Sequence, residues 1–151
     1  MPELWIGLGI LLVIIVLIIV LIERNKQKFI RTIEHNLKHL GILEKVAKNS
    51  HQYVLKINDR IILIRLIYAP SVTEVSFNSK RHWQLTSSSG KKMIETHGFQ
   101  ELVGEKLIII YPQPGKIVKY INENEIVFVN PKMDVFGMNA IHLHQIEQYF
   151  K

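Results

Sequence analysis

The run Lys80-Arg81-His82-Trp83, followed closely by Lys91 and Lys92, gathers four cations and an indole into one short stretch. Cations of this kind neutralise phosphates, and an indole left in solvent stacks on a base, which is how single-stranded nucleic acid is held. The same residues also read as the rim of a hairpin with Trp83 folded onto a sheet, so the burial of Trp83 separates the two readings. Arg65 adds a further cation on an apolar strand face shared with Ile61, Leu63 and Ile67. Its head either reaches the sheet rim or a carboxylate, or contacts a phosphate in a cleft. His35 and His39 stand four apart, the spacing at which two imidazoles on a helix grip a metal. No Glu follows His35, so the zinc-protease pattern is absent, and seven histidines make chance pairs common; no metal is assigned. His142 and His144 read as a solvated pair. The chain has no glycine-rich phosphate loop, and Ser87–Ser89 has no His and Asp at a telling spacing.

The elements that must position these residues begin with an anchor. From Leu4 to Ile22, 19 residues carry no charge, and 16 of them are Leu, Ile or Val. As a helix this segment is about 28 Å long, the thickness of a bilayer's hydrocarbon core. Its side chains favour insertion by about 5–10 kcal/mol. A cleaved secretory signal would want a basic leader, a shorter core and small residues at the cleavage point, whereas this segment opens Met-Pro-Glu and is followed by Glu-Arg-Asn-Lys. No basic residue precedes the segment, while Arg24, Lys26, Lys28 and Arg31 follow it. The positive-inside bias therefore predicts an N-terminus outside and residues 23–151 in the cytoplasm, at the cell membrane.

Residues 23–151 suffice for one domain with a real core. They hold 19 basic residues against 12 acidic ones, since only Glu3 precedes the anchor, a net charge of +7. A basic domain beneath a membrane has two natural acidic partners, anionic lipid headgroups and nucleic acid, and a membrane protein is a third candidate. The stripe Arg24, Lys28, Arg31, His35, Lys38 and Lys45, with Lys26 beside it, is either a solvated face or a surface held to lipid headgroups at about 1 kcal/mol per basic residue. Without cysteine, disulfides and thiolate metal sites are excluded.

Apolar spacing predicts one helix over residues 23–49, then strands over His51–Asn58, Arg60–Ala69, Val72–Phe77 and Arg81–Thr86. Arg60–Ala69 is apolar on both faces and should be central. Short helices are expected over Lys91–Gly98, Lys116–Ile121 and Leu143–Phe150, with strands at Leu107–Tyr111 and Ile126–Val129. The alternation suggests parallel pairing across helical crossovers, an α+β or mixed α/β domain.

That order resembles the restriction-endonuclease-like fold. Glu34 ahead of Asn36-Leu37-Lys38-His39-Leu40-Gly41, Trp83 after the hairpin, and the close Ile141-His142-Leu143-His144-Gln145-Ile146 are similar to the nuclease-related domain family, over roughly residues 28–150. The resemblance implies a metal-dependent nuclease whose Mg²⁺ is held by a helix Glu, a strand Asp and a Glu-x-Lys. Glu34, Asp59 and Glu74 are the acids this chain offers, but Ser76 stands where the lysine belongs, leaving Lys80 as the substitute. Asp59 and Asp134 are the only aspartates, so a carboxylate cage is poorly provisioned. The leading expectation is a membrane anchor (1–22) carrying a basic cytoplasmic domain (23–151) that binds a partner without catalysis or cofactor. A tethered nuclease with Mg²⁺ and a structural subunit of a membrane assembly are the alternatives.

Overall fold

The computed structural model describes residues 2–151, with side chains from Leu4 onward. Two compact units divide at Thr32/Ile33, although one helix, α1 (Pro2–Lys38), runs through the division. In the first unit the side chains from Leu4 to Ile22 all face outward; Trp5 is 72% exposed and Ile22 52%. This helix is long and apolar enough to cross a membrane.

The second unit is a sandwich of two five-stranded sheets. The first orders β1 (Ile42–Lys45), β2 (Tyr53–Ile57), β3 (Arg60–Tyr68), β7 (Glu105–Tyr111) and β10 (Asn139–His142) side by side. The second orders β6 (Gly90–Ile94), β5 (Trp83–Ser87), β4 (Val72–Phe77), β8 (Lys116–Asn122) and β9 (Glu125–Phe128). A one-turn 3₁₀ segment, Leu143–Gln145, leads into the closing helix α2 (Ile146–Phe150). The fold is α+β, with far more strand than the sequence pattern suggests.

Two arches build the sandwich. β3 passes through Ala69–Ser71 into β4, and β7 passes through Pro112–Gly115 into β8; β3 pairs with β7 and β4 with β8, both in parallel. The Ala69 amide donates to the Tyr111 carbonyl (2.7 Å) and the Gly115 amide to the Val72 carbonyl (3.1 Å), which locks the corners together. Gly115 is required there, because a Cβ would run into the Thr73 carbonyl. Between the sheets lie Ile67, Val75, Phe77, Trp83, Phe99, Ile108, Ile110, Ile117 and Ala140. On the other face of the first sheet, Leu55, Ile62, Ile64, Leu107 and Ile109 are fully buried, as are Ile33 and Leu37 of α1. A strand covered on both faces must be apolar on both, which explains Arg60–Tyr68.

Several expectations are corrected. The helix read over residues 23–49 stops at Lys38, and Ile42–Lys45 pairs with β2 instead. Gly41 makes the break possible: a Cβ there would strike the Lys56 carbonyl, so only glycine lets this segment reach β2. Lys91–Gly98 is not helical; β5 and β6 form a hairpin closed by Ser88-Ser89, with Ser87 opposite Gly90 at φ 130°. Lys116–Ile121 is a strand as well, where β-branched and aromatic side chains suit a pleated ladder between β4 and β9. The strand–helix alternation that carried the likeness to the restriction-endonuclease-like order is therefore not formed over residues 91–121. Parallel pairing is present, but strands make the crossovers.

Candidate functional site

Arg65 points into the sandwich from β3 and is 6% exposed. Its Nη1 donates to the carbonyls of Ser50 (2.8 Å) and Thr96 (2.6 Å), and its Nη2 to that of Glu95 (2.5 Å). The guanidinium carbon lies 5.8 Å from the centre of the Trp83 ring, close enough for a cation–π contribution. The buried Nε has no hydrogen-bond partner. Among the described residues no carboxylate pairs with this charge; peptide carbonyls and the Trp83 ring surround its head. Burial accordingly pulls its pKa below the ordinary arginine value. The expected contact with a sheet rim or carboxylate is replaced by a staple joining the loops before β2 and after β6.

A cleft of about 450 Å³ opens beside this charge, lined by Arg65, Tyr68, Leu85, Lys92, Glu95 and His97 among others. Lys92 sits opposite Leu85, which packs against the intersheet core, so it lies on the inner side of the hairpin; Lys91 sits opposite Thr86 and faces the other way. His97 has a left-handed backbone (φ 49°) and holds its Nε2 3.6 Å from a Glu95 carboxylate oxygen. Held residues of this kind collect at ligand sites. Sequence reading missed His97, because nothing in its neighbours signals a positive φ.

The remaining basic residues are placed elsewhere. Lys80 and Arg81 both reach Glu101, Lys80 Nζ at 3.0 Å and Arg81 Nη2 at 3.0 Å. Hydrogen bonds from Lys80 and then Arg81 hold that carboxyl below its usual range. Trp83 is fully buried between Phe77 and Phe99, with Nε1 donating to the Lys80 carbonyl at 3.1 Å. It is a core residue and offers no stacking platform. Of the six residues proposed for phosphate, Arg65 and Lys92 line the same cavity.

The four residues drawn from the nuclease resemblance have separate surroundings. Glu34 accepts from the Tyr53 hydroxyl at 2.5 Å, beneath the first sheet. Asp59 lies in the turn between β2 and β3. Glu74 pairs with Lys116 (2.9 Å) on the second sheet, and Lys80 pairs with Glu101. Among the described residues no three His, Asp or Glu side chains converge to hold a metal. Arg24, Lys28, Arg31 and Lys38 are exposed on α1, and Lys26 is half-buried.

One partly exposed polar cluster ties β3, β7 and α2 together. Arg60 binds both Glu105 oxygens, and the Tyr149 hydroxyl donates to the same carboxylate at 2.8 Å. These bonds, Arg60's first, lower the Glu105 pKa, while burial and the Glu105 partner raise that of Tyr149. No protein-family model matches the chain, and neither curated proteins nor solved structures yield a match.

Proposed function

We propose that the chain is a single-pass membrane protein that holds a small basic sandwich at the cytoplasmic face and binds an acidic partner through the Arg65 cleft, without catalysis of its own. One observation carries the binding half: a buried guanidinium with no carboxylate partner stands at the wall of a cleft that Lys92 and His97 also line. A buried cation met by neutral groups and no carboxylate leaves a positive field for an incoming anion. The apolar helix supports the anchor, and the basic residues that follow it support the orientation. The partner's chemistry is a phosphate ester, shared by lipid headgroups and nucleic acid.

The test uses full-length protein in nanodiscs of neutral lipid, challenged with anionic vesicles and with single-stranded DNA or RNA across a salt series. Binding that weakens steeply with salt and is lost in Lys92→Glu, an exposed position that leaves the core intact, supports the reading. Binding to neither, or binding indifferent to Lys92, contradicts it. Cleavage of nucleic acid dependent on Mg²⁺ or Mn²⁺ and on Glu34 and Glu74 would restore the nuclease alternative.

A second reading, a subunit of a membrane assembly, is favoured by the outer face of the second sheet. Ladder register lines up Met93, Gln84, Ser76, Val118 and Phe128 in one row across five strands. Met93 (51%) and Phe128 (68%) are open to solvent at its ends, and Ile126 adds to the row's β9 side. The centre of the row, Ser76 and Val118, is buried, so the open apolar surface is confined to these end positions, and exposed apolar side chains gathered at a sheet edge suit a protein contact. Phe128→Asp abolishing cross-linking to a membrane partner would favour this reading; unaltered cross-linking would end it.

A further inference from the structure

His35 and His39 meet in space as well as in spacing. Both are exposed where α1 ends, with Nε2 3.1 Å from Nε2, ring centroids 4.4 Å apart and planes at 87°. Positions four apart share a helix face, which brings the rings near each other. Convergence of both Nε2 atoms on one point requires more: each ring turns the same nitrogen toward its neighbour.

Two chemistries satisfy such a contact. One is an N–H···N bond between neutral rings. The other is a chelate. An ion about 2.05 Å from each of two nitrogens at this separation subtends an N–metal–N angle of about 98°. That value lies between the right angle of a square-planar site and the wider tetrahedral one, about 90° and 109°. We propose that His35 and His39 form a two-histidine clamp for a divalent transition cation of the zinc type. Imidazole nitrogen suits Zn²⁺, Cu²⁺ and Ni²⁺, whereas Mg²⁺ and Ca²⁺ take oxygen donors.

One acidic and one basic residue stand beside the pair. His39 lines a cavity of about 310 Å³ together with Asn36, Leu40, Glu147, Phe150 and Lys151. Glu147 thus borders the same space, and its carboxylate makes a 3.5 Å exposed pair with Lys151. Such a surface pair costs little to open. The chain supplies two nitrogens and leaves the other coordination positions to water or to a donor from outside. The clamp is separate from the Arg65 cleft, so its test is independent of the proposed function.

The experiment titrates Zn²⁺ into tag-free full-length protein in detergent micelles by calorimetry, with histidine ring signals followed by NMR. Saturable binding is expected, with shifts confined to the His35 and His39 rings. His35→Ala and His39→Ala should each weaken binding about tenfold or more, a loss of about 1.4 kcal/mol. His82→Ala and His144→Ala should leave it unchanged. Absence of zinc binding at submillimolar concentration, equal affinity in the His35 and His39 variants, or shifts centred on other histidines would overturn the clamp.

Discussion

The first 22 residues and the sandwich are built from the same aliphatic side chains and put them to opposite uses. Ile22 on α1 is 52% exposed and Ile62 on β3 is fully buried. The difference lies in pattern. Between Leu4 and Ile22 no polar residue interrupts the helix, so no face can turn to water. On β2 the buried Tyr53 and Leu55 alternate with the half-buried Val54 and Lys56, so one face is closed and the other is partly open. Composition alone would have grouped the two regions; the unbroken apolar run gives a helix long enough to cross a membrane, and the shorter runs form strands that close over a protein core.

The sharpest way to break this contrast is to charge the helix. Ile14→Lys with Leu17→Lys should cost about 5–7 kcal/mol of insertion free energy, at about 2.5–3.5 kcal/mol per charge near the centre. The protein should then leave the membrane fraction while its sandwich unfolds at an unchanged denaturant concentration. The reverse experiment is Trp83→Ala. Removing this indole from the intersheet core should cost about 3–5 kcal/mol of domain stability, read by denaturant unfolding in detergent, and leave membrane retention intact.

These two substitutions also mark how much was legible beforehand. The long apolar N-terminal helix, the central strand β3, the β4–β5 hairpin and the terminal helix follow from periodicity and turn residues. Lys91–Gly98 and Lys116–Ile121 do not, because each short run fits both a helix and a strand until its ladder partners are known. Gly41 shows the same limit: its role depends on the Lys56 carbonyl, which is remote in sequence. Arg65 was legible as an unusual cation on an apolar face. Its carbonyl ligands come from two loops, and no local spacing announces them. Lys80 and Arg81 looked available only because Glu101 is distant in sequence.

A smaller effect should appear with pH. Burial lowers the pKa of His142, with His144 adding to the shift, and burial together with Lys48 lowers that of His51. Both rings are therefore favoured neutral in the folded state. Their contribution is complete above the unfolded value of 6.5 and is lost as pH falls below it toward the folded values. Denaturant midpoints should drop between pH 7.5 and 5, and His142→Gln should flatten that slope. A second fall is expected below the ordinary carboxylate range, where Glu105 loses the Arg60 bond. Helix insertion should be indifferent to both. The smallest effect is predicted for Lys80→Ala: its ion pair with Glu101 is open to water, and the unfolding midpoint should not move measurably.

The proposed topology places the N-terminus outside and the basic domain on the cytoplasmic side of the apolar helix. Cysteine accessibility tests this directly, since the chain has no native cysteine to interfere. Single cysteines at Glu3 and at Ser89 are labelled in intact cells with a membrane-impermeant maleimide, before and after permeabilisation. The expected result is labelling at position 3 in intact cells and at position 89 only once the membrane is opened, with both signals in the carbonate-resistant pellet. Labelling at 89 in intact cells, or recovery of the full-length chain in the soluble fraction, would contradict the account.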